Sequence, residues 1–171
     1  MLGLPNGEVF LIPWTNEWVT EFTNESDKIT SELGELVLAV HHIGSTAVKN
    51  LSAKPIIDIA IELKDFQLGK HCVQGLERLG YEYKGTDILP ERHYFSKGEP
   101  RTHQIHMFLT GNIYLEKQLA FRDYLLHDNE ALNEYQTLKE TLSRTHQTDK
   151  ITYSHEKTEF INKIMEKLGF N

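Results

Sequence analysis

The chain has 171 residues, of which 39% are hydrophobic, a formal net charge of −7 and one cysteine. This suits one domain with a core of its own and excludes a disulfide scaffold or a thiolate zinc cage within the chain. The acidic balance disfavours duplex nucleic acid as a partner, because phosphate neutralisation supplies most non-specific affinity, yet allows a nucleotide in a locally basic pocket. The opening MLGLPNGEVF has neither a basic n-region nor an apolar run, and no segment nears the roughly 20 apolar residues that span a bilayer. A cytoplasmic protein with no membrane partner is expected.

Residues 15–33 read as a helix, with Trp18, Phe22, Ile29 and Leu33 on one face and Gly34 as its stop. Leu36 to Ile43 is β-rich and leads into Gly44-Ser45-Thr46. Residues 55–63, PIIDIAIEL, read as a buried strand carrying two acids. Asp65 is expected to cap the next helix, which keeps Cys72, Leu76 and Leu79 on one side and stops at Gly80. Cys72 on that face reads as a small core residue.

Short strands follow near 81–84, 92–97 and 103–109, separated by turn residues such as Gly85, Gly98 and Pro100. From Asn112 the pattern is helical only. One helix runs from Ile113 to Leu126, and Asp128 caps a second with Leu132, Tyr135, Leu138 and Leu142 on its face. Ser154 is expected to cap a third, with Phe160, Ile161, Ile164, Met165 and Leu168 before Gly169. There is no repeat, low-complexity tract or linker, so residues 1–171 are taken as a single α+β domain: a mixed sheet followed by a helical final third. That third either covers the sheet or walls a cleft.

The stretch HHIGSTAVKNLSAKPIIDIAIEL, residues 41–63, carries the chemistry. Gly44 permits a positive φ or a close backbone approach. Ser45 and Thr46 supply hydroxyls and amides at the start of an expected short helix, whose amino end would favour a phosphate. The structural alternative is a strand-to-helix turn capped by Ser45. Asp58 lies within an otherwise apolar run, and burying a carboxylate costs several kcal/mol unless it is paired, hydrogen-bonded or bound to a metal. A Gly-Ser turn followed by an acid-bearing strand suits phosphoryl transfer, the turn holding a triphosphate and the acids holding Mg²⁺. A salt bridge from Asp58 to Lys54 or an arginine is the alternative.

Gly44-Ser45-Thr46-Ala47-Val48, Leu51 and Ala53-Lys54-Pro55-Ile56-Ile57-Asp58, with the later Phe121-Arg122-Asp123-Tyr124-Leu125, resemble the GrpB family of bacterial proteins. Further matches are Arg92, Phe95, Lys97, His103, His106, Tyr135, Leu138, Lys139, Tyr153 and Lys157. The resemblance covers nearly the whole chain and implies a nucleotidyltransferase-like fold without a settled activity. It departs at Lys49-Asn50, where Pro-Gly is usual, which should alter that turn and leave the fold. The family also occurs fused to dephospho-coenzyme A kinase, which implies a nucleotide or coenzyme A context.

Active nucleotidyltransferases place two acids two residues apart on the strand, and the second position here is Ala60. Glu62 shares the face, but its Cβ lies about 13 Å from that of Asp58 at the usual strand rise. Such carboxylates cannot share one Mg²⁺, so Glu62 reads as a strand-end surface charge. The place of a third acid is held by His106, while alternation puts His103 on the other face. Asp58 with His106 reads as a pair acting in general-base catalysis, a weak metal site or a buried hydrogen bond. His41 is a lesser candidate ligand. Lys54, Arg92, Lys97 and Arg122 complete the candidate anion pocket with Gly44, Ser45 and Thr46. For Arg101 a solvated hairpin is as good a reading, and Arg122 with Asp123 can equally be a local pair. Lys157 sits at the wrong helix end for the dipole.

Three functions follow as expectations. One is an enzyme transferring a nucleotidyl group, with Asp58 holding Mg²⁺. The second is an inactive module that binds a nucleotide, coenzyme A precursor or other phosphorylated metabolite, motivated by Ala60. The third is a histidine metal hydrolase, motivated by nine histidines but lacking any helix-spaced ligand pair such as HExxH.

Overall fold

A computed structural model describes residues 1–170. Glu17–Leu33 forms helix α1, burying Trp18, Ile29 and Leu33. Gly34, at φ 53°, ends it, and a 3-10 turn over Gly34–Leu36 postpones the first strand, β1, to Ala39–Ile43. The β-rich composition of residues 36–38 is thus spent in a turn. Next come β2 (Ile57–Leu63), α2 (Leu68–Arg78), β3 (Tyr81–Gly85), β4 (His93–Lys97) and β5 (His103–Leu109). Four helices close the chain: α3 (Ile113–His127), α4 (Asn129–Thr145), α5 (Lys150–Glu156) and α6 (Thr158–Lys167).

The fold is α+β, with one mixed five-stranded sheet in the order β1-β2-β5-β4-β3. Only the central pair β2 and β5 is parallel, with Asp58 opposite Gln104 and Ala60 opposite His106. Alternation divides β2 between two layers. Ile57, Ile59, Ile61 and Leu63 pack with Trp18, Leu76, Phe95 and Met107 under α1 and α2. Each such aliphatic side chain removed from water contributes about 1.5–3 kcal/mol. Asp58, Ala60 and Glu62 point to the opposite face, toward the helical third. There α3, α4 and α6 form a second core, in which Leu125, Leu132, Tyr135, Ile164 and Met165 meet Val48 and Leu51.

Asn112, Asp128 and Asp149 cap α3, α4 and α5, accepting from the amides of Tyr114, Ala131 and Thr152. Ser154 does not cap a helix; it lies inside α5, and the predicted single last helix is two, α5 and α6. Asp65 accepts from the amide of Gln67, closing the turn before α2.

The first dozen residues cross both layers as a strap. Gly3 N donates to Pro55 O, Leu4 N to Arg101 O and Val9 N to Gln147 O, and Ile12 and Ala53 exchange both backbone bonds. Among the described residues, no helix is long and apolar enough to cross a membrane.

Candidate anion-binding site

The turn after β1 is held from three sides. Gly44 takes φ 73° and ψ −176°, a conformation that a residue with a β-carbon resists. A β-carbon there would lie 2.8 Å from Asp58 Oδ2, so the bend passes directly over the carboxylate. Ser45–Ala47 makes a single 3-10 turn instead of the expected short helix, so no helix dipole is aimed at the site. Thr46 is buried: its hydroxyl bonds His42 Nε2 at 2.9 Å and its carbonyl accepts from Trp14 Nε1. His42 stacks on Phe22, and burial holds its pKa down at about 4. Asn50, at φ 70°, occupies the left-handed turn position that glycine fills in the Pro-Gly form, a conformation that asparagine tolerates.

Asp58 lies beneath this bend with 27% of its side chain exposed, into a cavity of about 790 Å³. Its Oδ1 accepts from Gln104 Nε2 at 2.9 Å and contacts His106 Nε2 at 3.3 Å. Arg92 Nη1 lies 3.2 Å from His106 Nδ1. An arginine can only donate, so His106 Nδ1 accepts and Nε2 carries the proton given to Asp58. In this geometry His106 orients the carboxylate, and Oδ2 is the oxygen left facing Gly44. No salt bridge joins Asp58 to Lys54 among the described residues.

The opposite wall is cationic. Lys54, Lys117, Arg122, Lys139 and Lys157 line the cavity against two carboxylates, Asp58 and Glu166. Lys139 is 2% exposed and donates to Ser52 O at 2.6 Å. Burial, then the charges of Lys157 and Lys54, holds its ammonium well below the ordinary lysine value. Burial and Lys54 bring Lys157 down to about 8, partly offset by Asp58, and burial also lowers Lys54. Lys54 and Lys157 lie 5.4 and 4.3 Å from the centre of the Tyr153 ring, and Lys139 lies 5.3 Å from that of Tyr135. Among the described residues none of these three lysines forms a salt bridge. The buried Tyr153 hydroxyl has no hydrogen-bond partner, and Ser45 lies beside the hydroxyl of Tyr135.

Gly44, Ser45, Thr46, Lys54, Asp58 and Arg122 thus line one cavity. Arg122 does so while bonding both His42 O, at 3.0 Å, and Asp123. Lys97 does not join them. It projects from the other face of the sheet to Glu25, 2.7 Å away, with the Tyr81 ring beside it. Arg92 reaches the site only through His106 and does not line the cavity. His103 faces Glu21 on that other side, 3.0 Å away, and His41 pairs with Glu62 at 2.6 Å. Glu62 is thereby engaged on the sheet instead of free at its surface.

Lys139, Tyr153, Tyr135 and Lys117 carry the cavity and were assigned no role from sequence. Lys139 had a signal, since a lysine at i+4 from Tyr135 and i−3 from Leu142 interrupts the apolar stripe of α4. Tyr153 was marked only by its match to the family pattern and Lys117 by nothing, because only the packing of α3 and α5 turns them inward.

A family model described as GrpB protein matches residues 8–167. The chain belongs to the GrpB family. It is 35% identical over 163 residues to the UPF0157 protein YqkA of Bacillus subtilis, covering 95% of this chain and 48% of that one. It thus spans about half the length of that relative. It is 30% identical over 176 residues to the glutamate-rich protein GrpB of Alkalihalophilus pseudofirmus, covering 98% and 100% of the two chains. The crystal structure of the conserved protein GrpB from Enterococcus faecalis superposes with a TM-score of 0.86 at 36% identity, over 92% of this chain and 96% of that one. A structure of the Cid1 poly(U) polymerase with MgGTP bound superposes with a TM-score of 0.57 at 12% identity, covering 78% of this chain and 44% of that one. The GrpB fold here is therefore nucleotidyltransferase-like.

The acid set of this GrpB chain differs from the two-acid pattern by more than one residue type. Ala60 is fully buried, in an apolar cluster with Ile43, Phe108 and Leu115 of α3. The second acid position is closed by a helix. Among the described residues, the one group of three clustered metal-ligating side chains is Glu21, Glu25 and His103, on the other face, where Lys97 already neutralises Glu25. The histidines most suited to a metal hydrolase are dispersed into separate hydrogen bonds. Of the cavity's side chains, Asp58 through Oδ2 is the one that would hold a single Mg²⁺. They do not fit a two-ion clamp.

Proposed function

We propose that this protein binds a nucleotide by its polyphosphate end, with the lysine wall and the Gly-Ser bend as the phosphate cradle. One observation carries the reading: Lys54, Lys139 and Lys157 share a cavity without a salt-bridging carboxylate, in a chain of net charge −7. Buried cations crowded together cost free energy unless something anionic joins them. The unpartnered Tyr153 hydroxyl offers a donor to the same ligand. The likeness to Cid1, a structure of which holds MgGTP, supports a triphosphate as the anion.

Nucleotidyl transfer is a second reading, favoured by the orientation of Asp58. With Oδ1 engaged by Gln104 and His106, Oδ2 alone is free beside the bend. In such a transfer an acceptor hydroxyl bonds to the α-phosphorus. The bond from that phosphorus to the bridging oxygen breaks, pyrophosphate leaves, and the hydroxyl proton passes to water. A Mg²⁺ held by Asp58 would neutralise phosphate charge.

Calorimetric titration with ATP, GTP, CTP and UTP, with and without Mg²⁺, tests both. The first reading expects binding that Lys157→Ala and Lys54→Ala each weaken at least tenfold. No binding of any triphosphate at millimolar concentration, or binding indifferent to both lysines, overturns it. Transfer additionally expects Asp58→Asn to abolish pyrophosphate release; retention of release would remove Asp58 from that role.

A further inference from the structure

The cavity lining stops at Gln104, but cationic side chains continue past it. On the same face of the sheet, Tyr94 is paired with His106 across β4 and β5, their rings stacked with centres 5.5 Å apart. The Arg92 guanidinium lies 4.7 Å from the centre of the Tyr94 ring, and its buried Nε has no partner. Arg101 Nη1 reaches Gln104 Oε1 at 3.4 Å, and the Tyr94 hydroxyl donates to that same oxygen. Tyr94 lies in the fields of Arg101, Arg92 and Lys84, with Asp58 the one carboxylate among them. Lys84 is paired with Glu82, but neither arginine forms a salt bridge among the described residues.

Two guanidinium groups without carboxylate partners lie along one tyrosine, Arg92 over its ring and Arg101 beside the amide oxygen that its hydroxyl bonds, and guanidinium groups suit a phosphate. This arginine pair is separate from the lysine wall, whose residues come from the helical third and from Lys54. The two patches meet at Asp58: Arg101 is close enough to Lys54 to act on its ammonium, and Gln104 and His106 tie both sides to the same carboxylate oxygen.

We propose that Arg92, Tyr94 and Arg101 form a second anion subsite, which takes the phosphate group of a small phosphorylated molecule and holds it beside Asp58, across from the nucleotide. The inference rests on the polyphosphate reading for its partner, though not for its own binding. It assigns the protein two ligands that meet over one carboxylate, and so a second substrate or effector that is itself phosphorylated.

Inorganic phosphate is the probe, with the arginine Nε–H signals followed by NMR in the presence and absence of a saturating non-hydrolysable ATP analogue. The expected result is a phosphate-dependent shift of two arginine signals in both conditions. Arg101→Gln should weaken phosphate at least fivefold while changing nucleotide affinity less than twofold, and Arg101→Lys should restore part of the loss. Loss of the phosphate response on adding nucleotide would mean a single shared site and overturn the proposal. So would the absence of any response, or indifference to Arg101→Gln. Acetate run in parallel should give no comparable shift; an equal one overturns the assignment to phosphate. If nucleotide fails to bind while phosphate still moves the arginine pair, the polyphosphate reading falls and the second subsite stands.

Discussion

Gly44 and Asp58 are in contact across the mouth of the cavity: a β-carbon on the glycine would sit 2.8 Å from the carboxylate Oδ2 and 3.2 Å from its Cβ. The bend cannot yield, because Thr46 beyond it is bonded to His42 and Trp14. Gly44→Ala is therefore expected to cost about 1–3 kcal/mol from backbone strain alone. It should also displace the carboxylate and lower ligand affinity further than the stability loss explains. Urea unfolding of the variant with and without ATP checks both parts.

Lys139 is a cation on the buried face of α4, where Ala131, Leu132, Tyr135 and Leu142 are its companions. Removing its charge relieves a desolvation cost and leaves a helix position that packs well with an unbranched apolar side chain. Lys139→Met is expected to raise the melting temperature of the ligand-free protein and to weaken triphosphate binding at least tenfold. A variant that melts lower and binds normally would mean that Lys139 serves only to satisfy Ser52 O.

The lysine wall gives binding a pH dependence of definite sign. Lys157 titrates at about 8, well below an ordinary lysine, because burial and Lys54 disfavour its charged form. A polyphosphate favours that form, so binding near pH 8 should take up a proton and affinity should fall as pH rises from 7 to 9. In the ligand-free protein the unfolded chain holds more protons than the folded one above pH 8. The destabilisation by Lys157, full below about pH 8, is therefore relieved as pH rises toward the ordinary lysine value. Titration in buffers of different ionisation enthalpy reads the proton uptake, and Lys157→Met should abolish its share.

Glu25 and Lys97 test the opposite face. Glu25 is 1% exposed and accepts from both Lys97 and Tyr81. Lys97 lowers its pKa, together with Tyr81, against the upward push of burial. Lys97→Met leaves the buried carboxylate with only Tyr81 and the exposed Lys28, 3.5 Å away, and should destabilise the fold by roughly 3 kcal/mol. Triphosphate affinity of the folded variant should stay within twofold of wild type, measured well below its melting temperature. A selective loss of affinity would return Lys97 to the site.

Much of the architecture was legible because it is local. The alternation in PIIDIAIEL, the cap at Asp128 and the stop at Gly34 each act within a few residues. The Gly44 to Asp58 relation was also legible, since a glycine bend and one acid in an apolar strand are both costly choices. Two readings failed for reasons that lie at longer range. Lys97 and Arg92 follow one another closely in RHYFSKGEPR, but alternation of β4 sends Lys97 to α1 while Arg92, just before the strand, turns to His106. Ser154 resembled a cap because serine suits that place, yet Asp149 starts α5 five residues earlier. The lysine wall is assembled from α3, α4, the junction of α5 and α6, and the loop before β2. No sequence window contains it.

The strap formed by the first twelve residues has a consequence for how any ligand arrives. It is bonded at Pro55 and Ala53 beside the sheet, at Arg101 before β5, and at Gln147 after α4. A sheet and a helical layer stitched together on that side cannot swing apart like the halves of a clam. A ligand would therefore meet two layers already tied together along that seam.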